Sequence, residues 1–202
     1  VITVGGTNGK GSCVAVIEGL LLALGKRVGA YTSPHLCRYN ERVRVQGREA
    51  SDDALCAAFA AIEQARAEIP LTYFEFGTLA ALEIFRREAL DWMVLEVGLG
   101  GRLDATNVIP RALACAVTRI ALDHTALLGD SVEKIAREKA AIAKPGVDLV
   151  VGPARASVRA AIEEEARLHG GRVVHVDEDP ECVEFFSRPR KLALARAHQR
   201  DN

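Results

Sequence analysis

Residues 1–12 read Val1-Ile-Thr-Val-Gly-Gly-Thr-Asn-Gly-Lys-Gly-Ser12, a β-branched run, a glycine-rich turn and the start of an apolar helical stretch. The placement of the turn matters more than its letters. Between a strand and a helix, successive backbone N–H groups can point at phosphate oxygens, and the helix adds its positive end. Lys10 stands where a lysine reaches β- and γ-phosphates, and Ser12 where a hydroxyl meets a metal or a phosphate oxygen. The pattern GxxxxGK[ST] is not strictly met, because Gly11 separates Lys10 from Ser12 and Val4 holds the first glycine position. The plain alternative is a structural turn with a surface lysine. Strand, loop and helix falling in register favour the phosphate loop.

Working outward, short apolar runs alternate with amphipathic stretches. Strands are predicted at residues 1–4, 27–31, 91–97, 113–118, 147–151 and 172–176, with an extended piece at 42–46 before Gly47. Helices are predicted at 12–24, from a Ser51 cap to about 68, at 74–89, at 132–143 and at 156–169. Leu79, Leu82 and Phe85 are expected on the buried face of the 74–89 helix. Strand–helix alternation with buried strands implies an α/β fold, a mostly parallel sheet with helices on both faces. Residues 1–176 read as one domain. After Val176 the pattern lapses, and 177–202 read as an irregular tail.

Composition narrows the function. The chain has 202 residues, a net charge of −1 and 26% charged residues, which gives no excess of basic charge for nucleic acid or an acidic membrane surface. The basic run Arg188-Pro-Arg-Lys191 reads as a solvated face. Five scattered cysteines without a CxxC pair suit neither a disulfide framework nor a zinc site and fit a cytoplasmic protein with reduced thiols. No apolar run approaches the ~20 residues that cross a bilayer, and no signal peptide is expected, because the sequence opens on a strand-like run. A chain that opens within a strand is expected to be part of a larger protein.

Trp92-Met-Val-Leu-Glu-Val97 puts Glu96 at the C-terminal end of a core strand, where ligands bind in doubly wound sheets. A hard carboxylate oxygen there suits Mg²⁺. Gly98-Leu-Gly-Gly101 hints at a dinucleotide fingerprint, but Asp104-Ala-Thr-Asn107 reads as loop rather than helix, so hydride transfer is disfavoured.

With these residues in place, the chain resembles the bifunctional dihydrofolate synthase/folylpolyglutamate synthase family within the Mur-ligase group. The modified loop Gly6-Thr-Asn-Gly-Lys-Gly-Ser12 is that group's version. The folate branch is indicated by Thr32-Ser-Pro-His-Leu36, Glu41-Arg-Val-Arg44 and Leu71-Thr-Tyr-Phe-Glu-Phe-Gly-Thr78. Further matches are Leu95-Glu-Val-Gly-Leu-Gly-Gly-Arg-Leu-Asp-Ala-Thr-Asn107, Ala121-Leu-Asp-His-Thr125 and Arg137-Glu-Lys-Ala140. They run in the family's order across about residues 1–145.

The resemblance implies a Mur-ligase central domain that uses ATP and two Mg²⁺ ions to join L-glutamate to dihydropteroate or a folate through an acyl phosphate. It implies that Thr7, Asn8, Gly9, Lys10, Gly11 and Ser12 wrap the triphosphate and that Asn202 contacts the adenine. It implies Ser33 and Glu96 as metal ligands, with His124 joining Glu96 at a second ion, and Lys139 as a lysine carried as a carbamate. Lys10, Lys139 and His124 would be the catalytic residues, and Thr72, Tyr73, Phe74 and Glu75 would line the pterin pocket. Each has a plain alternative: turn chemistry for Ser33, a satisfied loop histidine for His124, a solvated lysine for Lys139, core packing for Tyr73 and Phe74. A monomer with small-molecule partners is expected, and no nucleic acid or membrane. The family's stretch before the phosphate loop and its C-terminal glutamate-ligase domain have no counterpart here, so these residues alone are expected to bind nucleotide weakly and to ligate nothing. A Mur-type peptidoglycan ligase and a regulatory P-loop NTPase are the competing readings.

Overall fold

The computed structural model describes residues 1–187. Eight strands make one sheet: β1 (Ile2–Gly5), β2 (Val28–Tyr31), β3 (Val43–Val45), β4 (Arg48–Glu49), β5 (Trp92–Glu96), β6 (Ala114–Val117), β7 (Asp148–Val151) and β8 (Arg172–His175). Their order is β4-β3-β2-β5-β1-β6-β7-β8. The six strands from β2 to β8 in that order pair in parallel, and the β3–β4 hairpin adds an antiparallel edge. The helices are α1 (Lys10–Ala23), α2 (Asp52–Arg66), α3 (Tyr73–Arg87), α4 (Thr125–Leu128), α5 (Val132–Ala140), α6 (Ala156–Leu168) and α7 (Pro180–Ser187). The expected α/β architecture, mostly parallel with helices on both faces, is the one observed.

Period-two alternation sorts the strand residues between the faces. Val4, Val28, Ala30 and Val94 pack with Val14 and Leu21 of α1. Tyr31 and Leu95 face the other way and join Ile84 and Phe85 of α3 and Leu55 and Ala58 of α2. Further along that second face, Cys115, Val117, Leu149 and Val151 pack with α5 and α6. Glu96 pairs with Val4, and Arg44 of β3 with Ala30. Both polar residues therefore share the face on which α1 lies, which is how a carboxylate at a strand end comes to face the start of that helix.

Three expectations need correction. The buried face of α3 is Gly77, Thr78, Ala80, Ala81, Ile84 and Phe85. Leu79 instead borders a surface cavity, and only Phe85 of the predicted triad is fully buried. Small residues win because the helix lies close on aromatic rings: a Cβ at Gly77 would stand 2.4 Å from the Tyr39 hydroxyl. Residues Ala105–Val108 form a 3-10 turn rather than open loop, capped by Asp104. The tail after Val176 is not wholly irregular, since α7 covers Pro180–Ser187 with Asp179 accepting from the Cys182 N–H. The basic run at 188–191 and the segment ending in Asn202 lie outside the described residues.

Candidate functional site

β1 lies between β5 and β6, and the chain leaves β1 for β2 on one side and reaches β6 on the other. The crevice at the C-terminal ends of these strands is the switch point of the sheet. The loop between β1 and α1, Ser33 after β2, Glu96 ending β5 and the segment after β6 all come to it.

The loop is pinned from the β6 side. The Thr7 and Asn8 N–H groups donate to the Arg119 carbonyl, at 2.9 and 3.3 Å. The Thr7 hydroxyl exchanges hydrogen bonds with the Ala121 backbone, donating at 3.1 Å and accepting at 3.2 Å. The Thr118 hydroxyl lies 2.8 Å from the Asn8 carbonyl and 3.2 Å from that of Gly5. Gly6 permits this closeness: it has φ +137°, and a Cβ there would stand 1.9 Å from Thr118 Oγ1. Thr7 and the Asn8 amide are thus committed to holding the loop.

That leaves the four residues at the start of α1. Gly9 is the N-cap in a left-handed conformation and offers no side chain, whereas α2, α3 and α5 are capped by Ser51, Thr72 and Ser131. The first turn of a helix has N–H groups without intrahelical acceptors. Here the first bond along α1 is Cys13 N–H to the Gly9 carbonyl, at 2.9 Å. Gly9, Lys10, Gly11 and Ser12 therefore present a row of amides with the helix dipole behind them, an anion site by construction. Lys10 Nζ lies 3.3 Å from the Thr7 carbonyl, folded over the loop.

Glu96 sits against this start. It is 5% exposed, and a Cβ at Gly11 would lie 3.6 Å from its Oε2. Oε2 accepts the Ser33 N–H at 3.1 Å. Burial pushes the Glu96 carboxyl up, while the Ser33 N–H and the charges of Lys10 and Arg44 pull it down. A buried carboxylate beside a serine, with lone pairs left over, is a donor set that suits a hard cation; Mg²⁺ characteristically takes one or two protein groups and fills the rest with phosphate oxygens and waters. Among the described residues no three His, Cys, Asp or Glu side chains converge as a metal cage.

Lys139 enters from α5. It is 3% exposed, and its Nζ donates to the Gly6 carbonyl at 3.0 Å. Desolvation, and then the charge of Lys10, bring its pKa down to about 8, against the opposing influence of Asp123 and Asp104. His124 caps α4 with φ +45°, its carbonyl accepting from Leu127 and Leu128 and its Nε2 3.5 Å from Asp123 Oδ1. A left-handed histidine is a strained conformation of a kind that concentrates at functional sites.

The 71–78 segment forms the end of α3 nearest the crevice. The Thr72 hydroxyl accepts from the Glu75 N–H, and the Glu75 carboxylate from the Thr72 N–H, a reciprocal capping box. Phe74 packs 5.9 Å from the Tyr31 ring and against Gly98, where a Cβ would be 2.5 Å from it. Tyr73 is exposed and carries the Arg42 guanidinium 5.5 Å from its ring. Between α3 and the 102–108 turn lies a cavity of about 320 Å³ bordered by Glu75, Leu79, Leu103, Asp104 and Val108. Of the four residues expected to line a pocket, only Glu75 borders this one.

In amino-acid sequence the chain is 56% identical, over 152 residues, to the dihydrofolate synthase/folylpolyglutamate synthase of Escherichia coli K12, a match covering 75% of this chain and 36% of that one. Over this stretch the chain is homologous to dihydrofolate synthase/folylpolyglutamate synthase. Two solved synthases have the same fold: E. coli FolC in complex with DHPP and ADP (TM-score 0.83, 50% identity, 86% of this chain and 41% of that one), and a bifunctional synthase with Mn, AMPPNP and L-glutamate bound (TM-score 0.81, 50% identity, 86% and 42%). The chain thus spans about two-fifths of the length of these synthases. No protein-family model matches it.

Sequence reasoning passed over one organiser of the synthase-like crevice. Asp104 Oδ2 accepts the N–H groups of Gly98 and Leu99, and Oδ1 accepts the Thr106 N–H and hydroxyl. One buried carboxylate folds the whole 98–106 loop beneath the site. The Asp104-Ala-Thr106 spacing, a short acid two residues before a threonine, was the available signal.

Proposed function

We propose that residues 1–176 are the nucleotide-binding domain of an ATP-dependent ligase that adds L-glutamate to dihydropteroate or folylpoly-γ-glutamate. The observation that carries the reading is the uncapped start of α1 with the Glu96 carboxylate set against Gly11. Its support from outside is the 56% identity to a named synthase and the nucleotide, Mn and glutamate bound in similar structures.

In this reading the amides of Gly9, Lys10, Gly11 and Ser12 hold the β- and γ-phosphates, with Thr7 and Asn8 shaping the loop. Ser33 and Glu96 hold one Mg²⁺, and Glu96 with His124 a second; the ions, when bound, neutralise charge on the transferring phosphoryl group. The substrate carboxylate attacks the γ-phosphorus, ADP departs, and the glutamate amine then displaces phosphate from the acyl phosphate. Lys10 steadies charge on the phosphoryl oxygens, and the fixed amides align the γ-phosphate with the attacking carboxylate. Lys139, buried and with a depressed pKa, has the neutral amine fraction that carbamate formation requires. The cavity beside Glu75 combines apolar walls from Leu71, Leu79, Leu103 and Val108 with the polar groups of Glu75, Asp104 and Asn107, a fitting receptor for a flat heterocycle with amino groups. The partners are small molecules, and the protein acts as a cytoplasmic monomer. All five cysteines are free thiols, and among the described residues no helix is long and apolar enough to cross a membrane.

Titration of dihydropteroate and of a UDP-muramyl peptide into the AMPPNP-loaded chain separates the readings. Saturable binding of dihydropteroate alone supports the folate assignment. Binding of the muramyl peptide, or ATP turnover indifferent to any folate, overturns it in favour of the peptidoglycan ligase or the regulatory NTPase.

A further inference from the structure

Arg44 lies in β3, outside the loop, yet three elements of the crevice meet on its guanidinium. Its Nε and Nη2 lie 2.9 and 2.8 Å from Oε2 of Glu18, on α1. Its Nη1 lies 3.2 Å from the Thr32 hydroxyl and 3.4 Å from the Glu41 carbonyl. The pair is enclosed, with side-chain exposure of 22% for Arg44 and 7% for Glu18, and the second Glu18 oxygen is buried without a hydrogen-bond partner. A buried ion pair that leaves an oxygen unsatisfied is a poor device for stability. Its geometry serves something else. Thr32 immediately precedes Ser33, whose N–H fixes Glu96. Glu41, whose carbonyl Arg44 also holds, gathers the N–H groups of Leu36, Cys37 and Arg38 and so shapes the loop that follows Ser33.

We infer that Arg44, anchored by Glu18, is a positioning residue that holds Ser33 and Glu96 in register with the start of α1. The inference rests on the reading of Ser33 and Glu96 as metal ligands. Only a planar fork fits the arrangement: Arg44 engages a carboxylate along one edge while a further N–H reaches the Thr32 hydroxyl, which a lysine ammonium on a flexible stem does not reproduce. Glu18 lies two turns beyond Gly11 on the same face of α1, so the pair ties the body of that helix to the end of β2 and thereby sets the distance between the amides and the carboxylate.

The test uses the 202-residue chain and its Arg44→Gln, Arg44→Lys and Glu18→Gln variants, each checked for folding by thermal melt and circular dichroism. Two readouts are taken: amide hydrogen exchange at Ser33, and Mn²⁺ affinity with AMPPNP by electron paramagnetic resonance. In Arg44→Gln, Ser33 exchange rises at least tenfold and Mn²⁺ affinity falls about tenfold or more, the range typical for groups that orient metal ligands. Arg44→Lys recovers part of each, and Glu18→Gln moves both in the same direction by less. Unchanged Ser33 protection in a folded Arg44→Gln chain overturns the positioning role whatever the metal does. A parent chain that binds no Mn²⁺ while Ser33 still responds to Arg44 overturns the ligand reading instead.

Discussion

The ammonium of Lys139 lies 3.0 Å from the carbonyl oxygen of Gly6, joining α5 to the loop between β1 and α1 across 133 residues of sequence. A buried lysine whose one hydrogen bond is to a backbone carbonyl is charged at a cost. Its pKa of about 8, below the ordinary 10.5, states that cost as a proton affinity. The folded chain binds fewer protons than the unfolded chain between about pH 8 and 10.5, so the stability of the parent rises with pH across that window. Below pH 8 the penalty is fully present.

The first prediction follows from that sign. Lys139→Met, which fills similar space without charge, gains on the parent at pH 7, and the difference in melting free energy closes as pH rises from 8 to 10.5, by roughly 3 kcal/mol over the window. Urea melts at pH 7, 9 and 10.5 measure it. A difference that stays constant with pH contradicts a depressed lysine.

The same amine tests the carbamate. Carbon-13 NMR with labelled bicarbonate is expected to show one carbamate signal that grows as pH passes through 8 and is absent from Lys139→Arg. A signal that survives that substitution, or none at pH 8.5, removes Lys139 from the role.

Gly6 carries the loop's steepest steric demand. Gly6→Ala meets Thr118 Oγ1 at 1.9 Å and holds a φ of +137° that L-residues avoid, so a destabilisation of about 3 kcal/mol is expected. Adding Thr118→Ala removes the hydroxyl clash but not the backbone strain and recovers only part of that loss. Full recovery in the double variant would show that the backbone of Gly6 is unstrained.

The strands were legible because parallel, doubly covered strands are nearly continuous apolar runs, and Trp92-Met-Val-Leu-Glu96 could hardly be read otherwise. Glu96 was legible for the same reason, as an acid ending such a run. The loop was legible from its glycines, but its division of labour was not. That Thr7 faces Ala121 while Gly9 to Ser12 keep their amides free depends on contacts more than a hundred residues apart. Arg44 and Glu18, separated by 26 positions, were invisible for that reason too. The face of α3 was misread because large apolar residues were weighted over small ones. At a close helix–sheet contact, Ala80 and Ala81 are what fits, and Leu79 turns to the cavity. The helix at Pro180–Ser187 was overlooked because its acidic lead-in resembles loop.

In the proposed site Lys10 would bear on the phosphates as a point charge beside the free amides. Lys10→Ala is expected to weaken Mg·AMPPNP binding by about 1.5–3 kcal/mol, the worth of a charged hydrogen bond, with little change in thermal stability because its one bond in the free chain is a 3.3 Å contact to Thr7. Calorimetric titration decides it. Equal affinities would take Lys10 out of the phosphate site.

The central claim is that the start of α1 and the Glu96 carboxylate together form a magnesium-dependent nucleotide site. Isothermal titration of AMPPNP into the 202-residue chain, with and without Mg²⁺, and into Glu96→Gln with Mg²⁺, tests it most directly. The account predicts saturable one-to-one binding that falls at least tenfold when Mg²⁺ is withdrawn and by a similar factor in Glu96→Gln, whose fold and Ser33 hydrogen bond the isosteric amide preserves. Binding that is the same in all three titrations, or absent from a folded parent chain, contradicts it.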